Sequence, residues 1–367
     1  MDGPDFDKRA KTLYPLLTDL FAIATTYRRE DKLVISLAYR YDRERSAKIL
    51  EDRLKLAGYD FSLRDTEDVL ILDIDPKRRI RIPRINIVLF FLTLLTVYII
   101  PVLFKHLDLG NLAQSIEDTV ADLGRGTGLM FTVAMISILF VHEMGHFIAS
   151  RRRGIITSWP YFIPAPNIIG TFGAVIKSRS PFWNRRDLVE VGSAGPIAGW
   201  IVALGWLVYG LTQSTIVGAG EVVTTGTAFF LEGESLLMRS LLPAIVGVTP
   251  PGHAYLLNEA AFAGWVGLLV TAINLLPIGQ LDGGHIIYGL ARRWQRKLGL
   301  LAMGALFILG FDSPMWWFFA AFGLVFGVSH PPTMNDNIKL SRAAFVMGVV
   351  SLIILVLSFT PVPFRWQ

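Results

Sequence analysis

Phe140-Val141-His142-Glu143-Met144-Gly145-His146-Phe147 decides how the rest of this chain is read. The octapeptide lies inside a run, Thr127 to Ser150, with no ionisable side chain other than these two histidines and the glutamate. On a helix, positions four apart are rotated by only about 40°, so His142 and His146 can present imidazole nitrogens to one tetrahedral zinc. Glu143 follows the first histidine, where a carboxylate serves as general base to a water activated by the metal. The bland alternative is that these residues fell together on an ordinary buried helix. An unpaired charge at membrane depth costs roughly 3 kcal/mol on insertion scales, so ionisable residues there point to function first.

The composition agrees with that setting. Of 367 residues, 52% are hydrophobic and only 18% charged, and the mean hydropathy is +0.48. A soluble domain carries about a quarter charged residues, so much of this chain belongs in lipid. The net charge of +5 is best read locally, as basic residues beside spans that set orientation and meet anionic headgroups. Nothing suggests a nucleic-acid partner. With no cysteine there are no disulfides and no thiolate ligands, so a zinc here must be held by His, Asp or Glu. Met1 to Lys8 lacks the apolar core of a cleavable signal peptide, and the first span is expected to direct insertion.

Residues 1–82 read as a small soluble α/β domain. A helix is expected over about Arg9 to Tyr27. Leu33, Ile35, Leu37 and Tyr39 alternate as a half-buried strand requires. Ala47, Leu50, Leu54 and Ala57 have helical spacing, and Gly58 is placed to end that helix. Phe61 to Arg64 and Val69 to Ile74 read as two strands joined by a polar turn. No catalytic constellation appears in this domain, which favours a regulatory or interaction role.

Residues 83–367 read as a bundle of about seven spans, with a catalytic core near 127–290. The basic run Lys77, Arg78, Arg79, Arg81 and Arg84 precedes the first span, Ile85 to Phe104, and puts the N-terminal domain on the cytoplasmic side, with the cell membrane as the expected location. Asp108, Glu117, Asp118 and Asp122 give the next connector an acidic bias suited to the far side. The second span, Thr127 to Ser150, returns and ends at Arg151-Arg152-Arg153, so its motif lies in the cytoplasmic half of the bilayer. Gly154 to Asp187 is too polar and proline-rich to span, and Gly170-Thr171-Phe172-Gly173-Ala174-Val175 reads as a hairpin or short strand over the site. A third span, Val191 to Leu211, opens with Gly192, Ala194, Gly195 and Gly199, small residues suited to close packing on the motif helix. Leu236 to Val248 is too short to span easily. A fourth span, about Ala254 to Leu276, runs into Pro277 and the paired glycines Gly283 and Gly284, which should break it. Leu298 to Phe311 and Met315 to Val328 read as a helical hairpin, and Ala343 to Phe359 as the last span. Asp282 lies at the right depth to be a third zinc ligand, and on spacing alone His285 competes with it. His106, His253 and His330 are expected to serve structure or the interface.

With His142-Glu143-Met144-Gly145-His146 and Asn274…Pro277…Leu281-Asp282-Gly283 both in hand, the chain resembles the site-2 proteases, intramembrane zinc metalloproteases. It is most similar to their chloroplast-type and archaeal branch. The similarity covers roughly Thr127 to Gly284 and leaves the N-terminal domain outside. The resemblance implies one zinc on His142, His146 and Asp282, with Asp282 preferred over His285. It also implies Glu143 as base and proton shuttle, Asn274 as donor to the developing oxyanion, and Gly170, Thr171, Phe172 and Gly173 as an edge for an extended substrate. The function so implied is cleavage of transmembrane helices of other membrane proteins. The rivals are a membrane-anchored protease of soluble chains, an inactive scaffold, and a metal or proton transporter. A transporter has no need of a glutamate beside the first ligating histidine, and a dead scaffold would not have kept all four site residues.

Overall fold

A computed structural model of the chain describes residues 13–14, 16–30, 32–66, 69–75, 82–153, 155, 157–178, 182–218, 234–333 and 335–363. The basic run from Lys77 to Arg81 lies outside them. Two compact units divide the chain. One comprises Met1–Pro83 with Phe147–Trp159 and Ile176–Trp183; the other comprises Arg84–His146, Pro160–Val175 and Asn184–Gln367.

The first unit contains a four-stranded antiparallel sheet of β1 (Phe21–Arg29), β2 (Lys32–Tyr39), β3 (Phe61–Asp65) and β4 (Val69–Ile74), in the order β1-β2-β4-β3. Period-two alternation puts Leu33, Ile35 and Leu37 of β2 opposite Ile74, Leu72 and Leu70 of β4, and all six are buried. One helix, α1 (Arg43–Ala57), adds Leu50 and Leu54 to that core. Asp42 caps its first turn and Gly58, at φ 78°, closes it as the spacing predicts. The helix expected over Arg9 to Tyr27 is corrected from Thr18 onward, where a turn leads into β1. Thr25, Thr26 and Tyr27 are strand-favouring residues, and Phe21–Arg29 gains ladder hydrogen bonds by pairing with β2 through a turn at Glu30, φ 56°.

The second unit is mainly helical. Among the described residues three helices are long and apolar enough to cross a membrane: α2 (Arg84–His106), α4 (Leu129–Arg152), whose last six residues fall in the first unit, and α5 (Arg185–Leu211). Between the first two sits α3 (Leu112–Gly124). A two-stranded ribbon of β5 (Tyr161–Pro164) and β6 (Thr171–Val175) follows α4. Beyond α5 come β7 (Thr215–Gly218), α6 (Leu236–Ile245), β8 (His253–Leu256), α7 (Glu259–Asn274), α8 (Asp282–Leu309), α9 (Met315–Phe326) and α10 (Arg342–Ser358). Helices α6, α7, α9 and α10 are apolar but shorter than the first three.

The core of this unit forms where α5 lies along α7. The contact is close because Gly210 faces the Ala261 backbone and Gly264 faces Leu207, and a methyl at either position would strike main chain. Outward-facing Phe91, Leu95, Ile201, Leu301, Val349 and Ile353 are exposed, an inversion of the soluble pattern that suits a lipid surround. Helix α7 stops at Asn274, before Pro277, and a non-helical segment separates it from α8. Helix α8 runs through the basic stretch Arg292 to Lys297 to Leu309 and kinks at Ala291, φ −141° and ψ 56°.

A candidate metal centre

Helix α4 carries His142 and His146 one turn apart, and their Nε2 atoms come within 3.2 Å of each other. Asp282, the first residue of α8, brings Oδ2 to 3.4 Å from His142 Nε2 and 3.2 Å from His146 Nε2. Two ligands at tetrahedral angles around zinc, each about 2.05 Å away, stand about 3.3 Å apart. The triangle of donors therefore has the size of one face of a zinc tetrahedron. Among the described residues this is the one group of His and acidic side chains gathered tightly enough to hold a metal ion.

Second-sphere contacts fix the donors. His146 Nδ1 donates to the Val191 carbonyl at 2.8 Å, which leaves its Nε2 as the lone-pair nitrogen aimed at Asp282 and His142. Helix α5 makes room for the imidazoles. A methyl at Gly195 would fill the place of the His146 Nε2 atom, and one at Gly199 would stand 2.9 Å from His142 Nδ1. Gly145 meets the Ala194 carbonyl in the same seam. The small residues expected to pack on the motif helix thus form a cradle for its two rings. Lone pairs of two imidazoles and a carboxylate converging on one point ask for a cation, and the donor set fits zinc.

Glu143 is buried beside the pair, close enough to His146 and Asp282 to interact electrostatically with both. His285 does not join the triangle: its Nδ1 lies 2.6 Å from His330 Nε2. Asn274 is the last residue of α7, half-buried at the start of the break that leads to Asp282. Gly170, at φ 80°, ends the turn before β6, and Thr171 Oγ1 accepts from the Gly173 N–H at 2.9 Å. Among the described residues β6 pairs only with β5, and Phe172 is 63% exposed. Helix α2 holds this ribbon through Asn86 Nδ2 to the Pro160 carbonyl, 2.8 Å, and Thr96 Oγ1 to the Gly170 carbonyl, 2.7 Å. Nothing in the sequence signals the Val191 carbonyl or the His285–His330 pair, because each joins positions 45 residues apart.

The family model of Peptidase family M50 matches residues 130–310. The chain is 33% identical over 254 residues to a probable zinc metalloprotease EGY2, chloroplastic, of Oryza sativa subsp. indica, a match covering 65% of this chain and 43% of that protein. It is 31% identical to the Arabidopsis thaliana protein of the same description, with the same coverage of both chains. It is 31% identical to the probable zinc metalloprotease EGY1, chloroplastic, of Arabidopsis thaliana, over 64% of this chain and 43% of that one. The chain therefore spans less than half the length of these curated relatives. No solved structure matches it. The matched region contains both motifs, and over it the chain matches peptidase family M50, the family of the site-2 proteases.

Proposed function

We propose that this chain is a zinc-dependent endopeptidase that cleaves the transmembrane helices of other membrane proteins. The observation that carries the reading is the convergence of His142, His146 and Asp282 at 3.2 to 3.4 Å, with both histidines on a helix long and apolar enough to span. The match of residues 130–310 to the M50 family model and relatives named as probable zinc metalloproteases support it.

His142, His146 and Asp282 would hold the ion. Bound there, zinc supplies Lewis-acid activation of a water and of the scissile carbonyl. Glu143 takes the proton of the attacking water and delivers it to the leaving amine. The Asn274 amide donates to the oxygen on which negative charge develops. A transmembrane substrate must first unwind, because a helix ties up its carbonyls; the edge of β6 away from β5 offers hydrogen bonds to the extended form. The bundle crosses the bilayer about seven times, with the N-terminal domain and the site on the side of the basic loops.

The test is purified chain in liposomes with a single-span substrate. Glu143→Gln should keep its zinc and lose cleavage by roughly 10²–10⁴-fold. Wild-type cleavage in that variant would overturn the mechanism. Scissile bonds mapped outside the substrate's apolar segment would replace the intramembrane reading with that of a membrane-anchored protease.

A further inference from the structure

Asp282 sits at the free end of a short helical arm. The arm runs from Asp282 to Leu290 and is uncoupled from the rest of α8 by the non-helical Ala291. Nine helical residues are too few to hold a fixed direction by themselves, so whatever grips the arm sets where Asp282 lies.

Packing on α5 holds the buried face of the arm, with Gly289 against Val189 and His285 against Gly192, and the loop between α9 and α10 adds the polar contacts. Asp336 Oδ2 accepts from Tyr288 Oη at 2.9 Å, before the kink, and from Arg292 Nη1 at 2.7 Å, after it. One carboxylate oxygen thus bridges both sides of Ala291. Its other oxygen accepts from Thr333 Oγ1 at 2.6 Å. Arg185, at the start of α5, ties the arrangement down by donating to the Asp336 carbonyl at 3.0 Å and to the Gly289 carbonyl, on the arm, at 3.3 Å. One turn beyond Asp282, His285 meets His330. The Pro331 carbonyl, 2.5 Å from His330 Nδ1, can only accept, so that nitrogen carries the proton. His330 Nε2 is then the acceptor, and His285 Nδ1 donates to it at 2.6 Å. Gln295 locks His330 in turn: its Oε1 accepts from the His330 N–H and its Nε2 donates to the Val328 carbonyl. Val328 also accepts from the Gly279 N–H at 3.0 Å, three residues ahead of Asp282. The loop therefore touches the ligand-bearing arm before, along and beyond its length. Residues 327–336 lie outside the stretch matched by the family model.

We propose that this loop is a clasp, with Asp336 and His330 as positioning residues that hold Asp282 on the candidate metal centre. The proposal rests on the zinc reading above. Its effect is on metal affinity, since a carboxylate that swings freely must be ordered again at every binding event.

The experiment measures zinc affinity of the full-length chain in detergent by competition with a chromogenic chelator, together with the visible absorption of the Co²⁺-loaded form and the melting temperature without metal. Asp336→Ala and His330→Ala should each weaken zinc binding by about 10–100-fold and alter the Co²⁺ spectrum, with Asp336→Glu recovering most of the loss. The melting temperature of the metal-free protein should stay near that of the wild type. Wild-type affinity in both alanine variants would overturn the clasp, as would a fall in metal-free melting temperature with unchanged affinity. If Asp336→Ala fails to fold, Asp336→Asn and His330→Ala carry the same expectation. A wild-type chain that binds no zinc would instead sink the metal-centre reading, which keeps the two failures distinguishable.

Discussion

At the residue scale the candidate centre depends on what is missing as much as on what is present. Gly195 is the sharpest case, because its absent side chain is the space in which the His146 nitrogen lies. Gly195→Ala should abolish stoichiometric zinc binding, whereas Gly205→Ala on the same helix, with nothing within 4 Å, should bind zinc normally. Gly205→Ala should even raise thermal stability slightly, since alanine is favoured over glycine by about 1 kcal/mol within a helix. Metal analysis and thermal denaturation of the two variants check both statements; equal zinc content in them would refute the cradle. The donors were legible because each belongs to a local pattern, His-Glu-x-x-His or Leu-Asp-Gly. The choice between Asp282 and His285 was not, because three residues on one helix differ by less than a turn. It takes the contact with His330, 45 residues away, to turn His285 aside.

At the element scale, hydrophobic runs located the helices well and their internal breaks poorly. Pro277 announces the end of α7, but nothing at Ala291 itself announces the kink there, the nearest glycine, Gly289, lying two residues before it. The same limit hid β1, whose hydrophobic start reads equally as helix until its partner β2 is known. Helix α3 shows how polarity can invert at such places. Its buried side carries Ser115 and Thr119, while Leu112, Ile116 and Val120 face outward. The polar side is anchored to the end of α2 through Asp122, which accepts from His106 at 2.9 Å and Lys105 at 3.0 Å, and also meets Arg125. Hydrogen bonds from His106 and Lys105, against a smaller effect of burial, bring the Asp122 carboxyl down to about 2. A depressed folded-state value means stability that is complete above the usual carboxylate range of about 4 and disappears as the pH falls toward 2. Hydrogen exchange should therefore show α2 and α3 opening more readily in Asp122→Asn than in wild type at pH 7. The difference should persist to about pH 4 and shrink only below it. A difference that vanished between pH 7 and 5 would assign the contact to another group.

At the scale of the whole molecule the open quantity is how often the chain crosses the bilayer. Among the described residues three helices are long enough without argument, and the remaining apolar helices fall short of a full crossing by composition and length alone. Charge supplies the order. Arg151 to Arg153, Arg292 to Lys297 and Lys339 with Arg342 should share one side, whereas residues 212–253 carry a single basic residue, Arg239, and suit the other. The doubtful pair is the second half of α8 with α9, joined at Asp312-Ser313-Pro314. If both cross, the total is about seven; if the pair dips back without crossing, it is about five. Because the chain has no cysteine, single cysteines report position without background. In sealed vesicles a membrane-impermeant maleimide should reach Lys48→Cys and Lys339→Cys from one side, and Gln114→Cys and His253→Cys from the other. Asp312, exposed at the hairpin tip, decides the count. Labelling of Asp312→Cys from the Gln114 side establishes the crossing pair, whereas labelling from the Lys339 side removes it. Neither result is expected to move Lys339 across the membrane, so the loop that carries Asp336 should share a face with the basic segments Arg151 to Arg153 and Arg292 to Lys297.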